Sequence, residues 1–169
     1  MDNNEVTELF DKVLMLKIFA RRLGEITLLE VLLSLIYTAM CVGEFFPQTR
    51  TACSLWSAIF VTLFILINSY MHRGLCYALG EADMYYKTSY ASHIAFAVIN
   101  IIMYFLLGNG KYTWLFSITK FAQFFGNQRI STFNSLLIFH AIMMVVIAIA
   151  PIGIKMTHKN KKNGHAKTA

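Results

Sequence analysis

Residues 26–46 read ITLLEVLLSLIYTAMCVGEFF, and this stretch decides the fold. It is apolar over about the ~17–25 residues that a helix needs to cross the hydrocarbon core of a bilayer. Three more such runs follow, at 53–71, 91–107 and 133–154. None of them alternates apolar and polar residues as barrel strands do. Within a membrane only helices and closed barrels satisfy the polar groups of the backbone. The whole chain, 169 residues long, is 57% hydrophobic and 14% charged. A soluble domain has an apolar share of only ~45–50%. The sequence therefore predicts an all-α integral membrane protein, with four transmembrane helices in an antiparallel bundle and a single membrane domain over 1–169.

Two connecting segments carry helical patterning of their own. Near the N-terminus, Val6, Leu9, Phe10, Val13, Leu16 and Ala20 recur at helical spacing, while Glu5, Glu8, Asp11 and Lys12 fall elsewhere on the wheel. This predicts an amphipathic N-terminal helix. Residues 1–22 open acidic and lack an apolar core ahead of a small-residue cleavage site, so the first run reads as an uncleaved anchor. Between spans 3 and 4, Trp114, Ile118, Phe121 and Phe125 follow an i, i+4, i+7, i+11 pattern. They predict an interfacial helix over 112–126, with Tyr112 and Trp114 in the aromatic belt. A re-entrant segment or a lid over a cavity is the competing reading, since the connection is too long and too patterned for a simple turn.

The basic residues set the orientation. With both termini cytoplasmic, the inner side holds Lys12, Lys17, Arg21, Arg22, Arg73, Lys87, Lys155, Lys159, Lys161, Lys162 and Lys167, and the outer side only Arg50, Lys111, Lys120 and Arg129. Eleven of the fifteen Lys and Arg residues thus lie inside, as the positive-inside rule requires. The net charge of +6 is concentrated beside the spans and in the tail 155–169. That placement points to anionic lipid headgroups as the partner and away from nucleic acid. A plasma or cytoplasmic membrane is the default location.

Polar residues inside spans are costly, and each should face a partner. In the first run Thr27, Glu30, Ser34, Tyr37, Cys41 and Glu44 recur every three or four residues, which places them on one stripe. His93, Ala97, Asn100 and Tyr104 do the same in the third. Asn68 and His72 lie near the inner end of the second, and Asn134 and His140 near the outer end of the fourth. With both tails inside, Glu30, Asn68, His72, His93 and Asn100 form a candidate polar cluster towards the inner leaflet. Carboxylate and imidazole groups there would suit a proton or cation. The competing reading is interhelical hydrogen bonding that fixes packing, with Glu30 paired to Arg21 or Arg22. His140 falls on the opposite side, outside the cluster.

No catalytic residues, cofactor site or metal site can be assigned. The chain has no phosphate-binding glycine loop, no His-Glu-x-x-His and no nucleophile elbow. His72 and His93 match in depth, as axial haem ligands would, but glycines that would let a macrocycle approach are missing. Zinc would need three or four ligands at closed Cys/His spacing, which is absent. Cys41 and Cys53 flank the first hairpin and could pair in an oxidising exterior, whereas Cys76 lies on the inner side. Pro151 with Gly153 is expected to end or bend the last helix.

Three functional classes follow. The first is a non-enzymatic membrane protein acting by lateral protein contacts, as accessory subunit, scaffold or protective factor, with another membrane protein or a second copy as partner. The second is an oligomeric transporter or channel for a small ion or solute that uses the inner Glu/His cluster. The third is an intramembrane or cofactor-bearing enzyme.

Overall fold

A computed structural model describes the backbone of residues 3–79, 82–107, 116–126 and 129–165. It describes the side chains of 12–72, 74, 85–107, 118–126 and 129–149. The chain forms α1 (Asn3–Val42), α2 (Arg50–Leu79), α3 (Ala82–Leu106), α4 (Phe116–Thr119), α5 (Phe121–Phe125) and α6 (Thr132–His165), with no strand among the described residues. Four of these helices are long and apolar enough to cross a membrane, over Lys12–Val42, Arg50–His72, Tyr85–Leu106 and Thr132–Ile149.

The predicted N-terminal helix is not a separate element, because it runs without interruption into the first span. Asn3–Val42 is 40 residues, or ~60 Å at ~1.5 Å per residue, twice a ~30 Å hydrocarbon core. Only the isolated Gly24 interrupts the pattern of helix formers. The Arg21 to Glu25 ion pair, 2.8 Å and four residues apart, bridges that position. Val13, Leu16 and Ala20 are exposed, while Val6, Leu9 and Phe10 lie outside the described side chains.

At the other end of the chain, α6 passes Pro151 and reaches His165, so of the two expectations, an end or a bend, the first does not hold. A proline removes one helical hydrogen bond, and a long helix absorbs that loss where neighbouring turns hold. The tail lysines lie outside the described side chains. Helix α3 starts nine residues before the predicted run. Thr88 and Ser89 lower the apolar average of that segment, yet both side chains are buried.

The turn between α1 and α2 is built from local signals. Glu44 has φ 54°. The Phe45 amide donates to the Met40 carbonyl (3.1 Å) and the Glu44 amide to the Cys41 carbonyl (3.3 Å). This is a Schellman closure with a glutamate at the left-handed position that glycine usually holds. Glu44 therefore leaves the helical stripe on which its spacing had put it. Thr49 Oγ1 then accepts the Ala52 amide (3.2 Å) and caps α2. Ser131 caps α6 in the same way, through the Asn134 amide (3.1 Å).

The long helices pack around one apolar core. Ile26, Phe64, Phe96, Leu136, Phe139 and Met143 are essentially buried in it. Phe64 stacks on Phe96, with ring centroids 6.1 Å apart, and meets Phe139 edge-on at 5.3 Å. A second, smaller cluster of Tyr37, Phe46, Cys53 and Phe60 closes the turn between α1 and α2.

The expected single helix over 112–126 is instead two short pieces that break at Lys120. Ile118, Phe121 and Ala122 belong to the main apolar core, and Phe121 reaches within 6.4 Å of the Phe139 ring. Phe125, the last residue of the predicted stripe, is exposed, and Trp114 and Tyr112 lie outside the described residues. Phe121 and Ile118 gain more from the protein core than from the bilayer interface. The segment therefore covers the turn end of the helices.

Candidate functional site

Both predicted polar stripes turn inward. Glu30, Ser34 and Tyr37 of α1, Asn68 and His72 of α2, His93, Asn100 and Tyr104 of α3, and His140 of α6 are all buried. Asn134, in the first turn of α6, is exposed. The five predicted site residues do not form one cluster. They divide into two, and His140 joins the second.

The first cluster lies at the end of the helices that carries Arg22. The Arg22 guanidinium, 2% exposed, donates through Nη2 to Asn68 Oδ1 (2.7 Å) and through Nη1 to Glu25 Oε2 (3.1 Å). Glu25 also accepts from Arg21 Nε at 2.8 Å. Both arginines thus pair with Glu25, and neither pairs with Glu30. Asn68 Nδ2 contacts His93 Nε2 (3.3 Å), and His93 Nδ1 contacts the Ser89 carbonyl (3.2 Å). A carbonyl can only accept, so His93 carries its proton on Nδ1 and takes the Asn68 proton on Nε2. The result is an ordered relay from Arg22 to Asn68, His93 and Ser89.

His72 lies beside this relay, its ring centroid 5.2 Å from that of His93. Its Nδ1 meets Tyr85 Oη at 3.2 Å and Ser89 Oγ at 3.5 Å. Both ring nitrogens of His93 are engaged, so His93 offers no lone pair to a haem iron opposite His72. Among the described residues, no group of three or more His, Cys, Asp or Glu side chains is placed to hold a metal ion.

The second cluster is Glu30, Asn100 and His140. Asn100 Nδ2 donates to His140 Nε2 at 3.4 Å, which leaves the His140 proton on Nδ1. The Asn100 side chain faces the Glu30 carboxyl within electrostatic reach, yet no hydrogen bond of good geometry joins them. Both Glu30 oxygens, Asn100 Oδ1 and His140 Nδ1 are buried without a hydrogen-bond partner. Rotating the Asn100 amide would supply one donor to Glu30 and still leave the second carboxyl oxygen without one. Several buried acceptors in this cluster thus lack a donor.

The residues the sequence reading missed are Glu25, Tyr85 and Ser89 in the first cluster and His140 in the second, while Arg22, read as a possible partner of Glu30, pairs with Glu25 and Asn68 instead. The i, i+3 and i, i+4 spacing of Arg22 and Arg21 with Glu25 was the available signal. His140 had none, because its partner depends on the register between α3 and α6. Cys41 and Cys53 are free thiols. Cys53 Sγ lies 3.8 Å from Gln48 Oε1, and Cys76 is outside the described side chains. Compared with known proteins, the chain matches no family model, no curated protein and no solved structure.

Proposed function

We propose that this is a multi-pass membrane protein whose core binds and exchanges a proton or a small monovalent cation at Glu30, Asn100 and His140. One observation carries the reading: Glu30 is 1% exposed with both carboxyl oxygens unpartnered, beside the equally unpartnered Oδ1 of Asn100. Buried polar atoms almost always find partners, and those that do not call for an explanation. An intramembrane carboxyl group whose oxygens have no hydrogen-bond donor lacks an electropositive partner. A proton, or a desolvated cation with oxygen ligands, is the species that supplies one.

The membrane arrangement belongs to the same proposal. Tyr37 with Cys53, Arg22 with Asn68, and Tyr104 with Thr132 pair in an order that supports an antiparallel bundle. The Lys and Arg distribution supports cytoplasmic termini and a tail on anionic lipid. A cysteine introduced at Gln48 or Asn127 should label from outside intact cells, and one at Asn163 should not. Labelling of all three, or of Asn163 alone, would defeat this orientation.

The reading as a scaffold keeps one observation in its favour. Only 22% of the apolar window of α1 is buried, against 44% for α2, so Leu28, Leu32, Leu35 and Ile36 offer a face to lipid or to a partner. Its polar stripe no longer supports that reading, since the stripe is consumed inside the protein.

The test is the full chain reconstituted in liposomes, compared with Glu30→Gln. Glutamine keeps the shape but cannot carry the charge. The wild type should show proton or cation flux and cation- or pH-dependent thermal stability, and the variant should lose both. Identical behaviour of the two proteins would defeat the proposal.

A further inference from the structure

The two polar clusters are separated by a fully apolar layer. Ile26 lies four residues from both Arg22 and Glu30 on α1. Phe96 lies between His93 and Asn100 on α3, Phe64 is one turn from Asn68 on α2, and Met143 is one turn from His140 on α6. These four side chains are buried to within 1% and belong to the same core. Phe96 occupies the gap between the imidazoles, its ring 6.3 Å from His93 and 5.6 Å from His140. The eight residues from Arg22 to Glu30 span ~12 Å of helix. No hydrogen-bonding group from these four positions bridges that distance.

On the other side of Glu30, hydroxyls are interspersed with the core side chains Ile118, Phe121, Leu136 and Phe139. Towards the turn end, Ser34 of α1, Ser57 of α2, Thr119 of α4 and Ser135 of α6 are all fully buried. Ser135 Oγ has no hydrogen-bond partner. Hydroxyls from four elements therefore lie between Glu30 and the end covered by α4 and α5. That cover is two helices of four and five residues that break at Lys120, unlike the long helices that carry the apolar layer.

Building on the proton or cation reading of Glu30, we propose that this site exchanges with the turn end only, along the hydroxyl-bearing side of the core, and that Phe96 seals it from the Arg22 end. Ile26, Phe64 and Met143 complete the seal. Phe96 is the critical member because its ring lies beside an imidazole of each cluster.

The experiment is one-sided thiol labelling of the full chain in liposomes. Cys41, Cys53 and Cys76 are replaced by alanine, and Asn100→Cys serves as reporter. The probe is a trimethylammonium-bearing methanethiosulfonate added to one face at a time. With Phe96 intact, the reporter should react from the turn end at least ~10-fold faster than from the Arg22 end. Phe96→Ala should remove most of that difference by speeding reaction from the Arg22 end, and Phe96→Leu, which keeps an apolar filling, should preserve it. Ile26→Ala opens the same layer from α1 and should act like Phe96→Ala, so the test survives misfolding of one variant. Equal rates from both ends with Phe96 intact, no reaction from the turn end, or no effect of opening the layer would overturn the proposal. If the asymmetry holds while Glu30→Gln changes neither flux nor ion response, the cation reading fails and the sidedness stands. The reverse result removes only the sidedness.

Discussion

The two buried polar clusters differ in what they leave without a partner. In the Arg22 cluster, donors and acceptors alternate, guanidinium to amide oxygen, amide nitrogen to imidazole, imidazole to backbone carbonyl, and the unpartnered atoms are two nitrogens, Arg22 Nε and His72 Nε2. In the Glu30 cluster, both carboxyl oxygens, the Asn100 amide oxygen and the remaining His140 nitrogen are without a partner. Burial is the same, so burial alone does not make a site. The balance of donors and acceptors does. A relay of alternating donors and acceptors fixes helix register, whereas an excess of acceptors leaves room for a proton or a cation.

The largest effect should come from breaking the Arg22 relay. Asn68→Leu leaves His93 Nε2 without its partner and Arg22 Nη2 with only the longer contact to the backbone carbonyl of residue 68 (3.4 Å), while keeping the side-chain volume. Losing a buried hydrogen bond to a charged group costs ~2 kcal/mol. The thermal midpoint in detergent should fall accordingly, at any pH and with any added cation. A variant as stable as the wild type would mean that the relay is not what holds α1, α2 and α3 together.

These clusters were unevenly legible in the sequence, for a physical reason. The spans were legible because hydropathy is a sum over many residues, and the inward stripes because polar residues recur at helical spacing. What periodicity cannot supply is register between helices. Glu30 and His93 read as one site because their depths were counted from the ends of the runs. Helix α3 in fact begins at Ala82, through buried Thr88 and Ser89 that lowered the local apolar average. His140 was set apart for the same reason, and only the packed structure joins it to Asn100. The connection between spans 3 and 4 misled differently. Its apolar pattern was correctly seen, but pattern does not say whether protein or lipid will cover it, and Ile118 and Phe121 are covered by protein.

The second effect has the opposite sign. Glu30→Gln places an amide donor among the unpartnered acceptors of the Glu30 cluster. Stability should rise by ~1 kcal/mol, the net worth of one good hydrogen bond, as the ion response disappears. Thermal melts with and without added monovalent cation measure both. A loss of stability would show that the carboxylate already has a partner in the native protein, and the contrast between the clusters would collapse.

A control outside both clusters sharpens the comparison. Glu44 holds a left-handed conformation that costs a side-chain-bearing residue ~1–2 kcal/mol. Glu44→Gly relieves that strain and gives part of it back through the freer unfolded chain, so the gain should be ~0.5–1 kcal/mol. The turn lies far from Asn68, and the double variant with Asn68→Leu should therefore be additive. Non-additivity in the melts would mean that the relay couples through the length of α1.

The smallest effect concerns Lys120, at the break between α4 and α5. Burial disfavours its ammonium and holds its pKa below the ordinary 10.5, although the nearby Cys53 and Cys41 pull it up and Arg50 pushes it down. The folded chain therefore binds fewer protons than the unfolded chain as pH approaches 10.5. Stability should rise with pH across that window, because the penalty is complete at lower pH and gone once the unfolded lysine is also neutral. Lys120→Met removes the penalty, so it should stabilise the protein near neutral pH and flatten the alkaline rise. Lys120 is only half-buried, and solvent screening keeps the gain below ~0.5 kcal/mol. Neither cluster contains Lys120, so the ion response at Glu30 should be unchanged in equilibrium binding. The rate of exchange should change, because this residue belongs to the cover over the turn end. An unchanged exchange rate in Lys120→Met liposomes would mean that α4 and α5 do not control access to the Glu30 cluster.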